Sequence, residues 1–370
     1  MINNLSKYCK QWNLVVNLNK SKIVVCRNGG RLARNEKWQI DGENIEIVNQ
    51  YKYLGVFITP QLNLNAHFDA KACTAKLGIN VTWNKLMIRN DVPLSAKYRV
   101  FNAVSRAVVC YAAQVWGFQK FDKVERVFRY FVKRLFALGV STPNYVLVLE
   151  TGMHSIYHYT VKLHCGYIKK VMNMSPSRLP YIVAKEIINR KLSWFSEWSR
   201  WDELYDCSMQ AAVLENEWEN KIKELLTKID TVERNKNLEA LACTQYHNLY
   251  AKLDFNLKER HYLKDSNNLN FMRTIFKTRA ELHKLNHRQG KSPNETLNNC
   301  NLCNLHAIED HYHFLAICPI LKEFRVRYFG KRILNEEELI LILNGKDWDN
   351  LYGYVSTAWS YRALIESEFS

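Results

Sequence analysis

Between residues 300 and 318, Cys300-Asn301-Leu302-Cys303, His313 and Cys318 stand in the order C-x2-C-x9-H-x4-C. No other feature constrains the fold as tightly. A C-x2-C turn presents two thiolates from one tight loop, and a later His and Cys can close a tetrahedron around a soft or borderline metal. The pattern predicts a structural zinc site held by Cys300, Cys303, His313 and Cys318, with His306 and His311 as competitors for the third position. Four protein ligands leave no coordination position for water, so such a metal braces a small module and does no chemistry. The alternative is that Cys318, ahead of Pro319, is a buried thiol and the histidines are exposed neighbours.

A chain of 370 residues has room for two or three modest domains. Its 47% hydrophobic and 24% charged content is that of a globular protein and argues against disorder. The formal charge of +16 is less ordinary. It creates a positive surface potential, which puts RNA and DNA first among partners, although a merely soluble basic protein would show the same excess. Met1-Ile2-Asn3-Asn4-Leu5-Ser6-Lys7 has no apolar core of a secretory signal, and no run of about 18 apolar residues predicts a membrane span. Cys26, Cys73, Cys110, Cys165 and Cys243 stand singly among apolar neighbours. That is the usage of a reducing compartment, so an intracellular protein is expected, nuclear or cytoplasmic.

Along the chain, hydrophobic period predicts an α+β fold. Leu5, Cys9, Trp12 and Leu14 can line a short helix, and Lys22–Cys26 is a β-branched run closed by the turn residues Asn28-Gly29-Gly30. Lys37–Ile40 and Asn44–Val48 flank Asp41-Gly42-Glu43 as a hairpin, and Tyr51–Ile58 reads as a further strand stopped by Pro60. From there the period turns helical, over His67–Arg89 and Ser95–Trp116. The clearest helix begins at Asp122, with Glu125 placed for a capping box and Val124, Val127, Phe128, Phe131 and Leu135 as its apolar stripe, before a stop at Gly139. Ala211–Leu241 reads as one long amphipathic helix, and the Asn-, Gly- and Pro-containing segment 286–299 as a linker. The expected divisions are a sheet remnant at 1–60, a helical domain at 61–150, a helical connector at 151–290, the metal module at 291–335 and a helical tail at 336–370.

Beyond the metal pattern, the chemistry is sparse. Lys322, Arg325, Arg327, Lys331 and Arg332 alternate with Phe324, Tyr328 and Phe329. Cations for phosphates beside rings for bases suit single-stranded nucleic acid, and a solvated helix face with an apolar back suits the same pattern. Trp194, Trp198 and Trp201 at helical spacing mark a core more readily than a stacking platform. His154, His158 and His164 beside Cys165 lack any accompanying motif and read as structural, and no phosphate-cradling glycine loop precedes a helix.

Three segments carry a family resemblance. Tyr8–Asn17 followed by Lys20-Ser21-Lys22 resembles the fourth palm motif of LINE-type, non-LTR retrotransposon reverse transcriptases. Tyr51-Lys52-Tyr53-Leu54-Gly55-Val56 is similar to their primer-grip motif, and Cys300–Pro319 to the Cys-Cys-His-Cys module near the end of these polyproteins. Tyr111–Gly117 and Leu149-Glu150-Thr151-Gly152 resemble landmarks of the thumb and connecting region. The resemblance implies that Lys20, rather than Lys22, lies near the incoming nucleotide and helps protonate the leaving pyrophosphate. It implies that Tyr53, Leu54 and Gly55 belong to a hairpin holding the primer terminus. Residues 61 to about 150 would be the thumb that tracks the template–primer backbone, with Arg126, Arg129, Lys133 and Arg134 among its cations. The four-ligand module would grip template RNA or target DNA.

Polymerases transfer nucleotides with two metals held by paired carboxylates. In this family those precede the Lys20 motif, one of them in an Asp-Asp pair, and the sequence contains no Asp-Asp. The expectation is therefore a truncated reverse-transcriptase product that binds nucleic acid, has no catalytic residues and needs no catalytic metal. Two alternatives are part of an active polymerase whose palm lies upstream or in another chain, and a domesticated RNA- or protein-interaction protein.

Overall fold

Short strands and tight turns fill the first part of the chain, and helices fill the rest. The computed structural model describes residues 1–27, 30, 32–33, 36–215, 218–255, 261–264, 268–287, 298–303, 305–345 and 347–369. The expected Asn28-Gly29 turn and most of the 286–299 linker lie outside the described residues. The chain separates into two compact units, Met1–Thr74 and Ala75–Ser370.

The first unit opens with α1 (Ile2–Gln11) and continues through β1 (Lys22–Ile23), β2 (Gln39–Ile40), β3 (Glu43–Asn44), β4 (Glu46–Ile47), β5 (Tyr51–Tyr53) and β6 (Val56–Ile58). Among the described residues these form three separate two-stranded pairs rather than one sheet: β1 with β4 in parallel, β2 with β3 and β5 with β6 antiparallel. The β2–β3 hairpin is the expected one, its turn made by Asp41 (φ 51°) and Gly42 (φ 87°), both left-handed as a two-residue hairpin turn requires. The single strand expected over Tyr51–Ile58 is instead a second hairpin, because Leu54 (φ 46°) and Gly55 (φ 82°) reverse the chain. Gly55 supplies the positive φ without strain, whereas Leu54 adopts it against its Cβ. The run Lys22–Cys26 pairs only at its first two residues. Of the stripe expected on α1, only Cys9 is buried, while Leu5, Trp12 and Leu14 are exposed.

The boundary between the units falls inside α2 (Asn65–Thr82). The second unit continues with α3 (Leu94–Phe101), α4 (Ala107–Val109), α5 (Ala113–Trp116), α6 (Asp122–Leu135), α7 (Asn144–Thr151) and α8 (Ile156–Met172). After them come α9 (Leu179–Asn189), α10 (Ser193–Tyr205), α11 (Met209–Glu215), α12 (Trp218–Ala242), α13 (His261–Lys264) and α14 (Leu269–Arg279). The last three are α15 (Lys322–Phe329), α16 (Glu336–Leu343) and α17 (Trp348–Phe369). A π-helical turn, Asn102–Arg106, joins α3 to α4. The long helix expected over 211–241 appears as α11 and α12, with residues 216–217 outside the described set.

On α6 the expected stripe is buried throughout: Val124, Val127, Phe128, Phe131 and Leu135. The capping box is absent, since Phe121 is the N-cap and no side chain caps the helix. Glu125 instead turns inward and accepts from the backbone N–H groups of Ile156 (3.3 Å) and Tyr157 (2.7 Å), two of the unsatisfied donors at the start of α8. Burial pushes its carboxyl up. Trp194, Trp198 and Trp201 are core residues as expected, packed with Trp218, Val161, Cys165 and Ile229. Gly117 lets α5 approach α8, for a Cβ there would sit 2.3 Å from the Thr160 carbonyl oxygen.

Glu150, at the end of α7, is fully buried and binds elements far away in sequence. It accepts from Arg279 Nε (2.6 Å), Tyr250 Oη (3.1 Å) and Tyr262 Oη (2.5 Å), and Arg279 also donates to the Leu343 carbonyl. The second unit, Ala75–Ser370, holds Glu150 and all of these partners. Cys110 and Cys165 are buried as lone thiols should be, but Cys26, Cys73 and Cys243 are exposed, and all ten cysteines are free. Among the described residues, no helix is long and apolar enough to cross a membrane.

Candidate metal centre

Cys300, Cys303, His313 and Cys318 are all buried, and their ligand atoms lie within 4.8 Å of one another, close enough to hold a metal ion. The convergence is built locally. The described residues from 298 to 309 fold back on themselves, with Cys300 N–H donating to the Ala307 carbonyl (2.8 Å), Glu309 N–H to the Asn298 carbonyl (2.8 Å), and a bridge between Asn299 and Ile308. This ribbon carries the C-x2-C turn. The chain then enters a π-helical turn, His313–Ile317, whose first N–H is taken up by Asp310 Oδ1 (2.6 Å). Cys318 closes it by donating its N–H to the His313 carbonyl (2.8 Å), and Pro319 starts a new turn.

The third position is settled by placement. His306 sits exposed in the ribbon's turn with a left-handed backbone (φ 50°), and His311 packs beside His283 with ring centroids 6.2 Å apart. His313 Nε2 faces the thiols, 3.5 Å from Cys303 Sγ. The thiols press on one another electrically. A hydrogen bond from Cys300 holds the Cys318 thiol below its usual range, and that bond together with burial pushes Cys300 up to about 12.

Two buried arginines brace this cluster from behind. Arg362 of α17 forks onto Glu309, Nε to one oxygen (2.8 Å) and Nη2 to the other (2.7 Å), and Glu309 Oε1 also accepts from Cys300 Sγ (3.9 Å). Glu309 Oε2 further accepts the Asn286 N–H (2.8 Å). Arg325 of α15 donates to the carbonyls of Cys318 and Arg332, and Tyr354 of α17 donates to the Phe314 carbonyl (2.7 Å). α15 and α17 thus buttress the cluster.

This placement corrects the expectation for Arg325. With none of its surface exposed, it cannot meet a nucleic acid; three carbonyl and hydroxyl oxygens hold it inside. Lys322, Arg327, Lys331 and Arg332 are exposed. The rings between them face α17 rather than solvent: Phe324 packs on Tyr361, Tyr328 meets Thr357 and Phe329 packs on Tyr354. They line a helix interface, as in the apolar-back reading of the same pattern. Lys331 pairs with Glu338.

The α6 cations are engaged locally. Arg126 and Arg129 both pair with Asp122, Lys133 donates to the Val140 carbonyl, and Arg134 lies 4.0 Å from the Trp83 ring centre. In the first unit, Lys20 is exposed and its carbonyl accepts from Tyr51 Oη (2.7 Å), while Lys22 pairs with Glu46 (2.5 Å). Tyr53 and Leu54 are exposed at the tip of the β5–β6 hairpin. Sequence reading missed Glu309, Arg362 and Tyr354 as supports of the cluster. The available signal was Glu309 itself, an acid four residues before a predicted ligand; nothing local marked its partner 53 residues later. Scans of this chain against protein-family models, curated proteins and solved structures return no match.

Proposed function

We propose that the chain is a zinc-braced nucleic-acid-binding protein of the kind that forms the carboxy-terminal part of LINE-type reverse transcriptases, and that it binds without polymerising. The observation that carries this reading is the convergence of Cys300, Cys303, His313 and Cys318 into one buried cluster. Tetrahedral zinc, with bonds of about 2.3 Å to sulfur and about 2.0 Å to nitrogen, places S and N about 3.5 Å apart. The Cys303–His313 separation of 3.5 Å fits that figure. Three thiolates and one imidazole are the donor set zinc prefers over magnesium or calcium. When bound, the metal would supply cross-linking of the ribbon to the turn that follows, and with four protein ligands it would leave no place for a reacting water.

Nucleic acid is the partner that the charge of +16 favours. Lys322, Arg327, Lys331 and Arg332 lie exposed just after the last ligand, where the module would present them to phosphates. The β5–β6 hairpin, turning at Leu54–Gly55, supports the primer-grip resemblance.

The test is anisotropy of labelled single-stranded RNA and DNA against the purified full chain at rising salt, beside a primer-extension assay with magnesium and with manganese. The expected result is binding whose log affinity falls linearly with log salt, and no extension. No binding at low salt would refute the nucleic-acid reading, and extension by the pure chain would refute the non-catalytic one.

A further inference from the structure

We infer that His154, His158 and Asp230 form a second metal site, for a divalent transition-metal ion such as Zn2+ or Co2+. Their ligand atoms all lie within 4.8 Å of one another. His154 Nδ1 is 3.0 Å from Asp230 Oδ2, and His158 Nδ1 is 2.8 Å from Asp230 Oδ1. N and O ligands bonded tetrahedrally to zinc at about 2.1 Å lie about 3.4 Å apart. Both separations are hydrogen-bond distances that need lengthen by only about half an ångström for an ion to replace the shared protons. The two imidazoles stack with centroids 4.4 Å apart, and the Nδ1 atom of each faces the Asp230 carboxylate.

The arrangement is held before any metal arrives. Gly152 (φ 62°) ends α7, and Ser155 caps α8 by accepting the His158 N–H (3.3 Å). Glu125 takes the two N–H groups before it in that helix, at Ile156 and Tyr157. This fixes the turn that carries both histidines. Asp230 stands on α12 beside Ile229, which is fully buried, and α12 packs against both α7 and α8. Glu233, one turn further, pairs with Lys120 and its charge also reaches His154, while Asp230 contacts both rings.

Two imidazoles and one carboxylate are the donors of a three-ligand site for a borderline metal, and a poor set for magnesium or calcium. On binding, each ring hydrogen moves to Nε2 and the Nδ1 lone pairs turn to the metal. His154 is 64% exposed, so the solvent side of the ion is open to water or to an anionic ligand. In this the site differs from the closed Cys-Cys-His-Cys cluster and does not depend on it.

Equilibrium dialysis of the full chain against micromolar Zn2+, with bound zinc counted by atomic absorption, tests the inference. His154→Ala and Asp230→Asn are each expected to bind one zinc fewer per chain than the parent, whatever the parent's total. Far-UV circular dichroism and melting establish that the fold is kept. His154→Ala removes a mostly exposed ring, so it serves if Asp230→Asn unfolds. Variants that bind as much zinc as the parent would overturn the site. Loss of a zinc in Cys303→Ser but in neither His154→Ala nor Asp230→Asn would place the metal in the other cluster alone and overturn the site.

Discussion

Arg362 and Glu309 form a two-pronged buried pair, and the oxygen that takes Arg362 Nε also takes the thiol of Cys300. Breaking a buried pair from one side leaves a charge without compensation, which costs about 3–5 kcal/mol. Arg362→Met is expected to destabilise the chain by that amount in urea denaturation. Groups behind metal ligands typically contribute about 10–100-fold in affinity. The same variant should therefore lose zinc to a chelator at correspondingly lower chelator concentration, and an unchanged competition curve would show that Glu309 does not act through Cys300.

Arg325 and Arg327 lie two residues apart on one helix and should behave oppositely. Arg325→Met removes the donors to the Cys318 and Arg332 carbonyls and strands both, at about 1–3 kcal/mol for each buried group. A fall in melting temperature is expected. Arg327→Ala, on the exposed face, should leave melting unchanged and lower the salt slope of RNA binding by about 1 if it meets a phosphate. The opposite assignment of effects would reverse the account of this helix.

Gly117→Ala tests the approach of α5 to α8. The new Cβ would overlap the Thr160 carbonyl and the Ala113 carbonyl, both backbone atoms with little freedom to move. Overpacking of this kind costs about 1–3 kcal/mol, read as a lower urea midpoint with unchanged slope. A midpoint within error of the parent would mean the two helices can separate without penalty.

His164 should make the fold sensitive to acid. Its ring lies among Phe118, Trp194, Trp198 and Trp201, and burial lowers its pKa to about 4, against the opposing effect of the bond to the Gln114 carbonyl. The unfolded chain takes up the proton near pH 6.5 and the folded chain only near 4. Stability is therefore full above about 6.5, declines as pH falls, and levels off below about 4. At about 1.4 kcal/mol per unit the decline is about 3 kcal/mol. Denaturation midpoints across that range should fall less steeply in His164→Gln than in the parent; parallel curves would remove His164 from the explanation.

What could be read from the sequence was whatever is written in short spacing. The four-ligand pattern, the α6 stripe, the tryptophan core and the Asp41-Gly42 hairpin each depend on residues within about 20 positions of one another. Roles set by tertiary partners were hidden. Glu125 has the spacing of a capping box, yet it serves the start of another helix, because its burial places it beside N–H groups that lack partners. Arg325 carries the composition of a nucleic-acid contact and lies inside, since Cys318, Arg332 and Tyr354 supply oxygens that no local pattern announces. His154 and His158 looked solitary because Asp230 comes 72 residues after His158. The β5–β6 hairpin was hidden for a different reason, since left-handed backbone at Leu54 is not what a leucine advertises.

All four residues of the candidate metal cluster precede residue 319, whereas the arginine that neutralises Glu309 stands at 362. A message interrupted anywhere between those points would encode every ligand of the motif and still yield a defective module, its glutamate stranded beside a thiolate. Such a product would be prone to opening and hence to proteolysis in the cell. Possession of the four-residue signature and possession of a durable fold around it are thus separable.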